Sequence, residues 1–387
     1  MIEHGFSYLA LLIFIASSIV YTQTKTQHKL FDYLPAIVII YFVVMLASTF
    51  GVWQKNDSIT TTYKVVKSNL LPAMIFLMLL SADMRQIFKL GPKMLLTFFL
   101  ASLSIALGFI GMFIIFHSYF DTNAWKAFAA LSGSWMGGTA NMVAIQSALN
   151  LPDAAMGYTL LIDSIDYAIW VMVLLALVPF AKKFNQWTKS DTSIIDEVGK
   201  KLAYKEAQKK PIDFASLFFL LGVALMVSAL AQYQASFLPT TSFLTGTTWV
   251  VITATIAGIF FAMTPLAKIS GASELANIML YIIVALIASR ANFSELSQAP
   301  LYIFAGFIII SIHILFMLLF AKLFHLDLFS LGIASLANIG GVASAPILAS
   351  AYSKALIPIG VLMAMIGYIV GTFGGLMVGV VLSKIAL

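Results

Sequence analysis

The chain of 387 residues contains no cysteine, which excludes disulfides, thiolate metal sites and cysteine nucleophiles. Charge is scarce as well: Asp, Glu, Lys and Arg together make up 10% of the residues, too few to coat a soluble domain. No Gly-x-x-x-x-Gly-Lys-Ser/Thr loop occurs, which disfavours an ATP-driven pump, and no His-Glu-x-x-His pair marks a zinc hydrolase. The net charge of +6 is not a nucleic-acid signal, because the lysines lie in short loops and one linker. There they read as topology determinants and contacts to membrane lipid headgroups.

What the chain has is apolar sequence: 61% hydrophobic residues and a mean hydropathy of +0.99. That length could hold about ten to thirteen spans of ~20 residues, so a multi-pass protein of the bacterial inner membrane is expected. Apolar segments fall at about 5–22, 31–53, 69–90, 93–118, 124–149 and 154–181. Six more follow at about 213–234, 246–265, 275–291, 299–323, 329–352 and 356–383. The first reads as a retained span, because its leader carries Glu3 and His4 and no basic residue. Residues 54–68 read as a polar loop, and Ser81 to Lys89 as an interfacial helical end. A hydrophilic linker, 184–212, within a stretch of eight lysines over 182–212, separates a first membrane repeat (1–183) from a second (213–387).

Two of these segments are interrupted. Trp135-Met136-Gly137-Gly138-Thr139-Ala140-Asn141 is a poor continuous helix, since each glycine costs about 1 kcal/mol relative to alanine. Asn338-Ile339-Gly340-Gly341-Val342-Ala343-Ser344 echoes it at an offset of 203 residues. Freed backbone groups in a bilayer are tolerated only beside protein or water, so paired breaks point to a transporter's binding centre. Trp135, Gly137, Gly138, Asn338, Gly340 and Gly341 are therefore candidate solute contacts. Thr139, Asn141 and Ser344 offer hard oxygen ligands to a cation.

Asp163 and Asp166 stand three residues apart, within an apolar run of the sixth segment. A carboxylate there costs at least a few kcal/mol, and usually faces a cavity in the service of an ion or proton. A neutral interhelical hydrogen bond is the other reading. Asp166 reads as the deeper of the two, and a sodium ion between it and Asn141 is an expectation to be checked. Glycines 360, 367, 371, 374, 375 and 379 give the last segment a small-residue packing face. Six segments per half leave the parity of the repeats unresolved. A plain twelve-span count puts 15 basic residues inside and 7 outside, with both termini cytoplasmic, but strands Arg85, Lys89 and Lys93 outside.

Trp135 to Asn141 resembles the proline-Gly-Gly-Thr-Ala-Ser-Asn segment of the bile-acid/sodium symporters, with Met136 in place of the proline. Leu79 to Ile87 resembles the cytoplasmic end of their preceding hairpin, and Ile165-Asp166-Tyr167-Ala168-Ile169 is similar to the acidic helix of cation/proton antiporters. The chain as a whole looks most like an uncharacterised bacterial membrane family of that superfamily, over residues 69–183 and 271–385. The resemblance implies an all-α membrane protein of two repeats, with crossed discontinuous helices in a core that moves against a scaffold, elevator-fashion. It also implies a coupling-ion role for Thr139, Asn141 and Asp166, and less directly for Asp163. The second copy carries no acid, which leaves a second sodium site without its ligand.

The expected function is Na⁺- or H⁺-coupled transport of a small organic solute, anionic or zwitterionic, without a cofactor. The alternative is a cation/proton antiporter with no organic substrate, built on Asp163 and Asp166. An intramembrane enzyme is disfavoured, since Ser134 lacks an evident general-base histidine. A homodimer is compatible with the sequence, though nothing in it demands one.

Overall fold

The computed structural model describes residues 1–26, 31, 36–54, 56–82, 87–191, 211–241, 245–291, 299–353 and 356–386. Residues 83–86, four of the nine of the expected interfacial end, lie outside this set, as do linker residues 192–210. Among the described residues the chain is helical, with no strand beyond one isolated bridge between Ile2 and Trp53. Among the described residues, seven helices are long and apolar enough to cross a membrane.

The first half comprises α1 (Gly5–Thr26), α2 (Ala36–Thr49), α3 (Asp57–Leu80), α4 (Gly91–Phe116), α5 (Ala124–Gly137), α6 (Thr139–Ala148) and α7 (Met156–Leu177). A short α8 (Ala181–Thr188) opens the linker. The second half comprises α9 (Phe214–Ala235), α10 (Gly246–Ala262), α11 (Ala272–Ala288), α12 (Ala299–Leu323), α13 (Leu328–Ile339), α14 (Gly341–Tyr352) and α15 (Ile357–Ile385). Caps set several starts. Asp213 accepts from Ser216 N at 2.9 Å, Asp327 from Ser330 N at 2.7 Å, and Thr245 and Thr248 form a capping box. The expected loop at 54–68 is instead the first part of α3, because Asn56 caps it by accepting from Ile59 N at 3.0 Å.

The two interrupted segments do not cross. Ala129 and Leu149, on either side of the first break, lie 3.0 and 3.4 Å from the place a Cβ on Gly379 would occupy. Twenty residues of continuous helix would put them about 30 Å apart. Phe329 and Tyr352, flanking the second break, have ring centroids 5.1 Å apart. Each pair of half-helices is thus a re-entrant hairpin, which replaces the expected crossed discontinuous helices. Gly138 makes the first reversal at φ 91° and Gly341 takes part in the second at φ 60°, backbone values that L side chains rarely adopt.

The hairpins enter from opposite ends of the bundle. The first end gathers the starts of α1, α3 and α12 with the base of α5–α6: Ile2 bridges Trp53, Tyr302 donates to Asp121, and Thr248 donates to the Ala148 carbonyl at 2.9 Å. The second end gathers the start of α4, the linker and the base of α13–α14: Lys93 pairs with Asp327 at 3.3 Å, and Leu328 N donates to Asn185.

Packing divides the helices into two sets. Helices α4–α7 and α12–α15 pack mainly on one another, and α1–α3 and α9–α11 do likewise. The glycine face of α15 is the keel of the first set. Gly367 lies against Gly137, Gly371 and Gly375 against Gly133, and Gly379 against Ala129, so α15 and α5 approach backbone to backbone.

Candidate functional site

The hairpin tips meet inside the protein: the Gly138 Cα is 4.0 Å from where a Cβ on Gly341 would sit. Beside them is a cavity of about 450 Å³. One wall is the tips (Gly138, Thr139, Ala140 and Ile339 to Val342) with Asp163, Ser164 and Tyr167 of α7 and Tyr368 of α15. The opposite wall belongs to the other helix set, through α2, α3 and α11, with Met74, Met78, Asn277 and Tyr281. The cavity therefore lies between the two sets. It reaches the second end, where Ser81, Ile37 and Ser273 line it near their helix termini.

Asp163 is the acid in this cavity. Ser134 Oγ and Trp135 Nε1 each donate to its Oδ1 at 3.1 Å, and the Thr139 side chain approaches the same carboxyl. These donors come from the first tip, so the hairpin orients the carboxylate it faces. One turn further along α7, Tyr167 packs against Gly340 at the second tip, beside Ser344. A single helix thus brings an acid to one tip and a phenol to the other. No Lys, Arg or His is among the described lining residues.

The structure rearranges the expected residue set. Thr139, Gly138, Gly340, Gly341 and Asp163 line the cavity together. Trp135 does not: its ring is fully buried, 5.5 Å edge-on from Phe109, and only its N–H serves Asp163. Gly137 faces the backbone of Gly367 instead. Asn338 is locked to α4, accepting from Ser102 at 2.7 Å and donating to the Ala334 carbonyl at 2.8 Å. Asn141 likewise ties the first break to α15, donating to the Gly137 carbonyl at 2.7 Å and accepting from Thr372 at 2.6 Å. Asn141 thus spends its amide on a carbonyl that the first break leaves free, whereas Asn338 binds carbonyls inside α13 and α4.

Asp166 points away from the cavity, against Gly306 of α12. It is fully buried, and neither of its oxygens has a hydrogen-bond partner, so the expected pairing with Asn141 around a sodium ion is not formed. Ser344 is buried beside Gly340, also outside the lining. His313 is held by Ser104 at 2.7 Å and Ser335 at 2.8 Å, a satisfied core histidine. Sequence reasoning missed Ser164, Tyr167, Tyr281 and Tyr368 as lining groups. Tyr167, four residues after Asp163, was the readable sign that this face of α7 is the functional one.

A family model described as "Protein of unknown function (DUF819)" matches residues 10–385. The chain belongs to the DUF819 family. A curated relative, "Uncharacterized membrane protein YjcL" of Bacillus subtilis (strain 168), is 26% identical over 333 residues, covering 82% of this chain and 83% of its own. The protein is thus a multi-pass membrane protein, consistent with its array of long apolar helices.

Proposed function

We propose that this DUF819 protein is a Na⁺- or H⁺-coupled secondary transporter of a small organic solute, working by alternating access. The observation that carries the reading is the cavity at two apposed hairpin tips, walled by both helix sets and holding Asp163 as its acid. Its volume of about 450 Å³ falls in the range of small-molecule pockets and exceeds what a bare cation fills. Asp163 would take the coupling ion, with Thr139, Ser164 and Tyr167 supplying further oxygens. Between an anionic and a zwitterionic solute, the lining favours the zwitterion. A carboxylate can meet the N-terminal N–H groups of α6 and α14, while an ammonium finds tyrosine faces and Asp163.

Two features support an inverted repeat and an elevator-like motion. With the breaks re-entrant, and the shorter apolar helices α2, α10 and α11 counted as crossings beside the seven long ones, each half would have five crossings, an odd number, and the halves would run in opposite directions. The two helix sets then correspond to a core carrying both tips and a scaffold. The hairpins depart from the crossed helices of the bile-acid/sodium symporters, so that resemblance supports the site rather than the fold. Among the described residues, under ten crossings the first end carries Lys64, Lys67, Lys126, Arg290 and Lys384, while Lys25, Lys89, Lys93, Lys182, Lys183, Lys189, Lys268 and Lys322 fall at the second. This favours a cytoplasmic linker with both termini outside, and it would put Lys89 and Lys93 inside.

The second reading, a cation/proton antiporter, draws on the lack of a basic group among the described lining residues. Transport rather than hydrolysis is favoured because the Ser134 hydroxyl is engaged with Asp163. Reconstituted protein decides between the readings. Amino-acid-like zwitterions accumulated under an imposed Na⁺ or H⁺ gradient support solute transport. Cation–proton exchange of full rate with no solute present would replace it by the antiporter.

A further inference from the structure

The two ends of the interface between the helix sets differ. At the second end the sets part around the cavity, whereas at the first end they are tied by a polar cluster on Asp153, in the loop between α6 and α7. Asp153 Oδ2 accepts from Tyr63 at 2.7 Å, and Oδ1 pairs with Lys67 at 3.4 Å. Gln146 of α6 donates to the same Oδ1 at 2.8 Å, and Lys67 reaches Gln146 at 3.3 Å. Tyr41 of α2 donates to the Asp153 carbonyl at 3.2 Å. Tyr63, Lys67 and Tyr41 belong to one set, and Gln146 and Asp153 to the other.

Beyond this cluster a second cavity of about 520 Å³ lies between the same sets, lined by Lys64, Lys67 and Leu71 of α3, by Gln146 to Asp153, and by Thr247. Helix α3 lines both cavities in succession. Its residues up to Leu71 face the second cavity, and those from Met74 onward face the first. Leu71 and Met74, one turn apart and both buried, separate them. The interface therefore holds two chambers in line, with the charged clasp lining the second, at the first end of the bundle.

We propose that Lys67, Asp153, Tyr63 and Gln146 form the outer gate of the transport path, closed in a structure whose binding cavity faces the linker side. Lys67 and Asp153 are 16% and 20% exposed, so the pair is shielded enough to hold yet wet enough to part. Sliding one set against the other must break the Tyr63–Asp153, Lys67–Asp153, Lys67–Gln146 and Tyr41–Asp153 contacts together, because each joins the two sets, while Gln146 braces Asp153 within its own set. The proposal rests on the transport reading for the meaning of the path, but the clasp can be tested without a solute.

The cysteine-free chain makes the test direct, since one introduced thiol is unique. Ala140→Cys places it on the cavity wall. In vesicles of known orientation, a membrane-impermeant thiol reagent should label it from the linker side and scarcely from the other. Adding Lys67→Gln or Asp153→Asn should raise labelling from the far side about tenfold, and the swap Lys67→Asp with Asp153→Lys should lower it again. The swap guards against misfolding as the cause. Unchanged far-side labelling in both single variants, or equal labelling from both sides in Ala140→Cys alone, overturns the gate. A failure of the transport reading would look different: the labelling pattern holds, and no solute or ion gradient drives any flux.

Discussion

Replacing Gly367 by alanine puts a methyl group where the first hairpin tip already is. A Cβ there would lie 2.8 Å from the Gly137 Cα and 3.0 Å from the Met136 carbonyl oxygen. Carbon pairs are most stable at about 3.5–4.0 Å, so α15 and α5 must separate by roughly 0.7 Å or more. Both contacts are backbone, and no rotamer can relieve them. Overpacking of this kind costs about 1–3 kcal/mol. Gly374 is the control, seven residues along the same helix. Its Cβ would meet the Met136 Cε and Sδ at 3.1 Å, the far end of a flexible side chain, and should cost under about 1 kcal/mol. Thermal unfolding of the purified protein in detergent reads the difference. Gly367→Ala should lower the midpoint by about 1–4 °C, and Gly374→Ala by less than half as much. Equal shifts in the two variants would refute the close backbone approach of α15 and α5.

The re-entrant hairpins predict cross-links that a spanning helix forbids. Ala129→Cys with Leu149→Cys, or Phe329→Cys with Tyr352→Cys, should form a disulfide under mild oxidation, seen as a mobility shift that a reductant reverses. Through-going helices would hold each pair about 30 Å or more apart and give no product. His313→Ala removes a ring hydrogen-bonded to Ser104 and Ser335, and should cost about 2–4 kcal/mol in thermal stability. It should leave any sodium or pH response intact, since His313 lies outside the cavity lining; loss of that response would bring the histidine into the mechanism.

Most helix positions were legible because each apolar run is bounded by caps or polar residues that a bilayer imposes. The breaks were legible for the same reason, as paired glycines have no place in the middle of a stable span. Their direction was not. A run such as 124–149 has the same hydropathy whether it crosses or returns, and the outcome turns on the backbone at Gly138 and on the glycine face of α15. Which of Asp163 and Asp166 lines the cavity was not legible either: neighbours on one helix, they are separated by which side meets the tips. Lys67 sat in a stretch that reads as loop, because its partner Asp153 is 86 residues away and no local pattern joins them.

The central claim is that Asp163 binds the coupling ion. Its most direct test is thermal stability in potassium buffer against added sodium and against pH, for wild type, Asp163→Asn and Asp166→Asn. An ion that binds only the native state raises stability by about 2.7 kcal/mol at a hundred times its Kd. Wild type and Asp166→Asn should show the response, to sodium or to pH, and Asp163→Asn should lose it. A response kept by Asp163→Asn and lost by Asp166→Asn would move the ion to the interface of α7 with α12 and contradict the account.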